Sequence, residues 1–133
     1  MSKRKIGNKF QTWIEKYLRK LSYDVVNFKT VSKMIPSATG KMIWISQRQD
    51  FFGCDLAAIK PNEKILFIQA SLSQNIGKRL KEFQKYGFPL KNCKVQLWLK
   101  RPDKSIAIKE YNGEALVDIG KIIRSKFYSL REN

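Results

Sequence analysis

Asp50-Phe51-Phe52-Gly53-Cys54-Asp55 run consecutively, and fourteen residues after Asp55 stands Gln69, followed by Ala70 and Ser71. Oxygen ligands of this kind suit a hard divalent cation, which takes carboxylate, amide and carbonyl oxygens together with water. Asp55 and Gln69 are the residues whose spacing raises them above the background. Alone, an aspartate beside glycine is ordinary turn chemistry, and this applies to Asp50 most of all. Other chemistries fall away by composition. The chain has no histidine, which excludes Ser-His-Asp and Cys-His nucleophiles and any histidine-ligated metal. Its glycines are scattered and match neither GxxxxGK[ST] nor GxGxxG. Cys54 and Cys93 have no further cysteine or histidine to complete a zinc site, and read as two reduced, at least partly buried thiols.

The elements that must position Asp55 and Gln69 can be read from periodicity. Phe10, Trp13, Ile14, Tyr17, Leu18 and Leu21 recur at helical spacing, so residues 5–21 form an amphipathic helix. Residues 23–31 mix β-branched and aromatic side chains and read as a strand. Pro36, Ser37, Thr39 and Gly40 mark residues 32–42 as an exposed loop able to reach a ligand. Residues 42–45 are a short apolar run, either an extra strand or a loop anchor. Residues 54–59 and 65–70 flank a Lys-Pro-Asn-Glu-Lys turn and form an antiparallel hairpin. Asp55 then opens one strand and Gln69 closes its partner, so both reach one end of the sheet. A second helix covers 75–86, with Ile76, Leu80 and Phe83 inward and Lys78, Arg79, Lys81 and Lys85 between them. Strands follow at 93–99 and 105–111, and Leu116, Ile119, Ile122, Ile123 and Phe127 suggest a closing helix over 116–130. Trp13, Phe83 and Trp98 fall on core faces.

Charge narrows the partner. Twenty-seven Lys and Arg oppose eleven Asp and Glu, a formal net charge of +16 over 133 residues, with 43% hydrophobic residues to fill one core. One domain spanning 1–133 is expected. Such a field draws polyanions, and phosphate backbones release condensed counterions when neutralised. Lys78, Arg79, Lys81 and Lys85, together with Lys33, Lys41 and Arg48, are the candidate phosphate contacts. No apolar run approaches the roughly 20 residues of a spanning helix, and the basic start lacks the apolar core of a signal peptide. An intracellular, cytoplasmic protein without a membrane is expected.

Over about residues 5–100 the order helix, strand, hairpin, basic helix, strand, with Asp55 and the Gln69-Ala70-Ser71 triplet, resembles the PD-(D/E)XK nuclease superfamily. That superfamily contains the restriction endonucleases and the archaeal Holliday-junction resolvases. Within it the chain looks most like small proteins carrying Asp-aromatic-aromatic-Gly, then Asp, then Gln-X-Ser/Thr in place of Glu-X-Lys. The resemblance implies an α/β fold with a restriction-endonuclease-like αβββαβ core: a central mixed sheet flanked by helices, with an additional C-terminal strand and helix. It implies Asp55, Gln69 and the Ala70 carbonyl as ligands of Mg2+ or Mn2+, Ser71 at the position of the lysine, and Glu15 as an additional helical glutamate acting near the metal. Lys78 or Arg79 would supply the displaced cation. The activity implied is metal-dependent cleavage of DNA, linear or branched, and many members pair as homodimers.

Two departures weigh on that activity. Gln69 offers an amide oxygen without the charge that helps to hold magnesium, and Ser71 cannot stabilise developing charge as an ammonium would. A module that keeps the fold and binds nucleic acid without cleaving it is the alternative. A basic protein-interaction or viral accessory domain is a third reading. Glu15 also has an ordinary structural use, an ion pair with Arg19 one helical turn on.

Overall fold

The computed structural model describes residues 3–28, 31–47, 51–72 and 74–123. The chain opens with α1, Lys3–Lys20, whose apolar stripe delivers Phe10, Ile14 and Leu18 into the core. Arg19 and Lys20 sit in its last turn, where cations complement the helix dipole. The helix stops at Ser22, which takes a positive φ of 73° while donating to Arg19 O. Then come β1 (Asp24–Asn27), β2 (Val31–Pro36), β3 (Met42–Gln47), β4 (Leu56–Ile59) and β5 (Ile65–Ser71). After α2 (Ile76–Gln84) follow β6 (Cys93–Lys100), β7 (Ile106–Tyr111) and β8 (Leu116–Ile122).

Six strands form one mixed sheet in the order β1-β4-β5-β6-β7-β8. All neighbours are antiparallel except β5 and β6, which run parallel because α2 carries the chain back between them. The period-2 alternation of β5 and β6 sends residues to two separate cores. Leu66, Ile68, Ala70 and Trp98 join α1 on one face, while Phe67, Val95, Leu97 and Leu99 join Phe83, Ile76 and Leu80 of α2 on the other. Each helix thus covers one face. The packing is tight at the helix seams: Ile14 and Phe83 are almost wholly buried, and truncating such a residue to alanine costs roughly 2–5 kcal/mol.

Three expectations are corrected. The strand expected over 23–31 ends at Asn27, and Val31 already belongs to β2. Residues 32–42 are not a loop. β2 and β3 pair antiparallel as a separate two-stranded sheet, Met34 opposite Trp44 and Pro36 opposite Met42. The turn residues that suggested a loop make only its tip, where Ser37 N donates to Lys41 O at 2.7 Å and Gly40 takes a φ of 85°. Residues 116–122 are strand β8 and not helix, registered on β7 with a bulge between Ile108 and Lys109. The remainder of the expected C-terminal helix, 124–130, lies outside the described residues.

Candidate functional site

Asp55 is placed by a tight turn and a bulge. Phe51 and Cys54 exchange both backbone hydrogen bonds at 3.0 Å, and the residues between them, Phe52 and Gly53, have φ of 52° and 78°. Two consecutive positive φ values are the requirement of a type I′ turn, which is why glycine stands at 53. Immediately after it, Asp55 N donates to Ile68 O at 2.8 Å although Ile68 is already registered with Leu56. Two residues therefore oppose one, a bulge of the kind that re-aims a side chain. The Asp55 carboxylate then accepts from Ala70 N at 2.9 Å, standing in for a backbone carbonyl where the ladder ends. Asp55 O accepts from Phe28 N at 2.7 Å. One aspartate thus ties together the ends of β1, β4 and β5.

Gln69 and Ser71 share the α2 face of β5 with Phe67, and they are 1% and 3% exposed; Asp55 is 5% exposed. Gln69 Nε2 donates to Glu82 Oε2 at 2.8 Å. Glu82 in turn accepts from Arg79 Nη1 at 3.4 and 3.5 Å. A carboxylate only accepts, so it fixes which way the Gln69 amide faces. Oε1 is left pointing away from Glu82, buried, and without a donor among the described residues. An acceptor in that position costs its full desolvation unless water or a cation meets it.

The expected site residues are therefore brought to one end of the sheet but given different partners. Asp55 goes to the Ala70 amide, and Gln69 goes to α2. Glu15 faces α1's own side, where its carboxylate accepts from Arg19 Nε and from Asn27 Nδ2, each at 3.1 Å. Arg19 Nη2 also donates to Val25 O at 2.8 Å, anchoring helix to strand. The arrangement on this face repeats the one on the other: a helical glutamate holds an amide side chain of the sheet, and the amide oxygen, here Asn27 Oδ1, is buried without a donor among the described residues.

Glu82 was not anticipated. The signal was available, since it is the sole acidic residue between Glu63 and Asp103 and lies one helical turn after Arg79. With a neutral Gln69 in the motif, the nearest carboxylate on the following helix was the place to look. Around α2, Lys78, Lys81 and Lys85 are exposed, while Arg79 is turned partly inward to Glu82. Asn75 caps the helix by accepting from Lys78 N at 3.1 Å. Lys41 is exposed at the tip of the β2–β3 ribbon, Lys33 falls in β2, and Arg48 and Asp50 lie outside the described residues. Among the described residues no group of three or more His, Cys, Asp or Glu could hold a metal ion. No described helix is long and apolar enough to cross a membrane. Comparison with protein-family models, with curated proteins and with solved structures finds no match to this chain.

Proposed function

We propose that this protein binds nucleic acid, DNA above all, and hydrolyses its phosphodiester bonds with a divalent cation held at Asp55, as restriction-endonuclease-like enzymes do. The observation that carries the reading is the polar end of β5. Asp55, Gln69 and Ser71 are withdrawn from water there, and the Gln69 Oε1 acceptor has no donor among the described residues. A core kept for stability alone would fill that volume with apolar side chains. The chain order supports the reading as well: α1, three antiparallel strands β1, β4 and β5, then α2 and a parallel β6.

The donor set fits a hard cation through Asp55, the Gln69 Oε1 oxygen and the Ala70 carbonyl. Such a cation, when bound, supplies a coordinated water of lowered pKa and polarises the scissile phosphate. The chain's own residues do the positioning. The Ala70 amide steadies the Asp55 carboxylate, and Glu82 holds the Gln69 amide in one orientation. Lys78, Lys81 and Lys85 offer phosphate contacts on the same helix. Ser71 has no charge to give, so the cationic role of the missing lysine passes to Lys78 or Arg79. Glu15 steadies Asn27 on the opposite face.

The test is a nuclease assay on linear and four-way-junction DNA. Wild type is expected to cleave with Mg2+ or Mn2+ and to stop in EDTA. Asp55→Asn keeps an acceptor for Ala70 N but loses the charge, and should reduce cleavage by about 100-fold, the upper end of what even outer-sphere changes cost metal sites. Binding should stay within a few-fold. Cleavage that persists in Asp55→Asn rejects the assignment.

A second reading, binding without cleavage, draws on the engagement of Glu82 by Arg79. With that carboxylate paired and Gln69 neutral, Asp55 is the one carboxylate among the proposed ligands. This reading expects metal-independent, strongly salt-dependent binding and no cleavage by wild type under any of these conditions.

A further inference from the structure

We propose that the β2–β3 ribbon is a recognition arm whose apolar face stacks on unpaired bases, so that the substrate is nucleic acid with splayed or single-stranded nucleotides. The proposal rests on the nucleic-acid reading above and sharpens its substrate class. In the ribbon's register Met34 lies opposite Trp44 and Pro36 opposite Met42. Opposed residues, and residues two apart along a strand, point to the same side. Met34, Pro36, Met42 and Trp44 therefore make one face, and all four are exposed, Trp44 at 68%, Met42 at 55% and Met34 at 44%. A two-stranded ribbon has no core of its own to justify such a face, and an exposed apolar patch of this kind marks an interaction surface.

Charge selects the occupant. Residues 28–49 contain Lys29, Lys33, Lys41 and Arg48 and no acidic residue. A second copy of a chain carrying +16 would bring like charge against this segment, whereas a polyanion is attracted to it. Position agrees. The chain leaves the large sheet at Asn27 and Phe28 and returns through residues 51–54, the end where Phe28 N meets Asp55 O. The arm thus springs from the end of the sheet that carries the candidate site. An indole flanked by methionines reaches the π-face of a base only where that base is unstacked; a paired duplex presents edges and phosphates instead.

The experiment measures affinity of the full chain for a DNA duplex with a three-nucleotide bulge and for the same duplex fully paired, across a salt series. Trp44→Ala removes an exposed side chain, so its urea midpoint should match wild type. It should weaken binding to the bulged duplex by about tenfold or more, the scale of a lost base–aromatic stack, and change the paired duplex less than twofold. The salt slope should not move, because no phosphate contact is removed. Trp44→Phe should recover most of the loss. Equal loss on both duplexes, or no loss on either, overturns the proposal while leaving nucleic-acid binding intact. A wild-type dimer that Trp44→Ala dissociates in sedimentation, or vesicle binding that this variant alone loses, assigns the face to another occupant and overturns it. Absence of any DNA binding by wild type defeats the nucleic-acid reading itself.

Discussion

The α2 face of β5 has two ends that are built from opposite materials. At the first, Phe67 stacks on Phe51 with centroids 5.3 Å apart and meets Phe88 at 6.2 Å, in an aromatic cluster that continues through Phe52, Tyr86 and Phe83. A largely apolar cavity of about 340 Å3, lined in part by Phe51, Phe67, Phe88 and Cys93, opens beside it. At the other end, Gln69 and Ser71 occupy the equivalent positions two and four residues on and are more deeply buried than Phe67, which is half-buried, or than Phe51, Phe52 and Tyr86, which are exposed. The aromatic end contributes stability through buried area and ring contacts. The polar end works against stability, because a buried acceptor without a donor costs about 1–3 kcal/mol. The difference teaches that α2 is held to the sheet by aromatic packing at one end and, at the other, by a Gln69–Glu82 hydrogen bond that brings buried polarity with it.

The largest effect should come from breaking the fastening. Phe83 is almost wholly buried and touches both Phe88 and Tyr111, so Phe83→Ala should cost about 3–5 kcal/mol in urea unfolding. It should also abolish function, since α2 carries Glu82 and the exposed lysines. A loss below about 1 kcal/mol would show that the aromatic end does not hold the helix.

Gln69→Leu sharpens the contrast. It replaces a buried, half-satisfied amide with an apolar side chain of similar volume, and Glu82 keeps Arg79 and partial access to water. Stability should hold within about 1 kcal/mol or rise, while the proposed metal-dependent cleavage should be lost. A fall of more than about 2 kcal/mol, read by the same unfolding curves, would mean that the amide is a structural keystone and would remove the argument for a functional polar end.

The two ends also differ in how far the sequence disclosed them. Apolar residues at helical spacing revealed α1 and α2, and the Lys-Pro-Asn-Glu-Lys turn revealed the β4–β5 hairpin, because burial imposes those periods directly. The arrival of Asp55 and Gln69 at one end of the sheet followed from that hairpin. Their separate partners did not, since the bulge at Asp55 and the Gln69–Glu82 bond depend on how α2 docks. β8 was read as helix because Leu116, Ile119, Ile122 and Ile123 fit a spacing of three and four. It is an edge strand in which Val117 and Ile119 are exposed, so no buried face enforced an alternating pattern. In the ribbon, Gly40 and its polar neighbours signalled a turn correctly, but the side chains described on either side of it, 34–36 and 42–44, are almost all exposed and give no periodic signal.

The smallest effect tests whether the aromatic end is as closed to water as its composition implies. Cys93 is registered beside Ile65 and lines the cavity. Burial pushes its thiol above the ordinary value of 9.0, with Lys64 pulling weakly the other way. The folded protein therefore keeps this proton to higher pH than the unfolded chain does. Cys93 contributes no pH dependence below the ordinary thiol pKa, and its contribution to stability is lost as pH rises from there through the folded value. Urea midpoints measured from pH 7 to 10 should fall more steeply for wild type than for Cys93→Ala, and thiol labelling of the native protein should lag behind that of a free thiol throughout. Parallel slopes would mean that water reaches Cys93 freely in the folded protein.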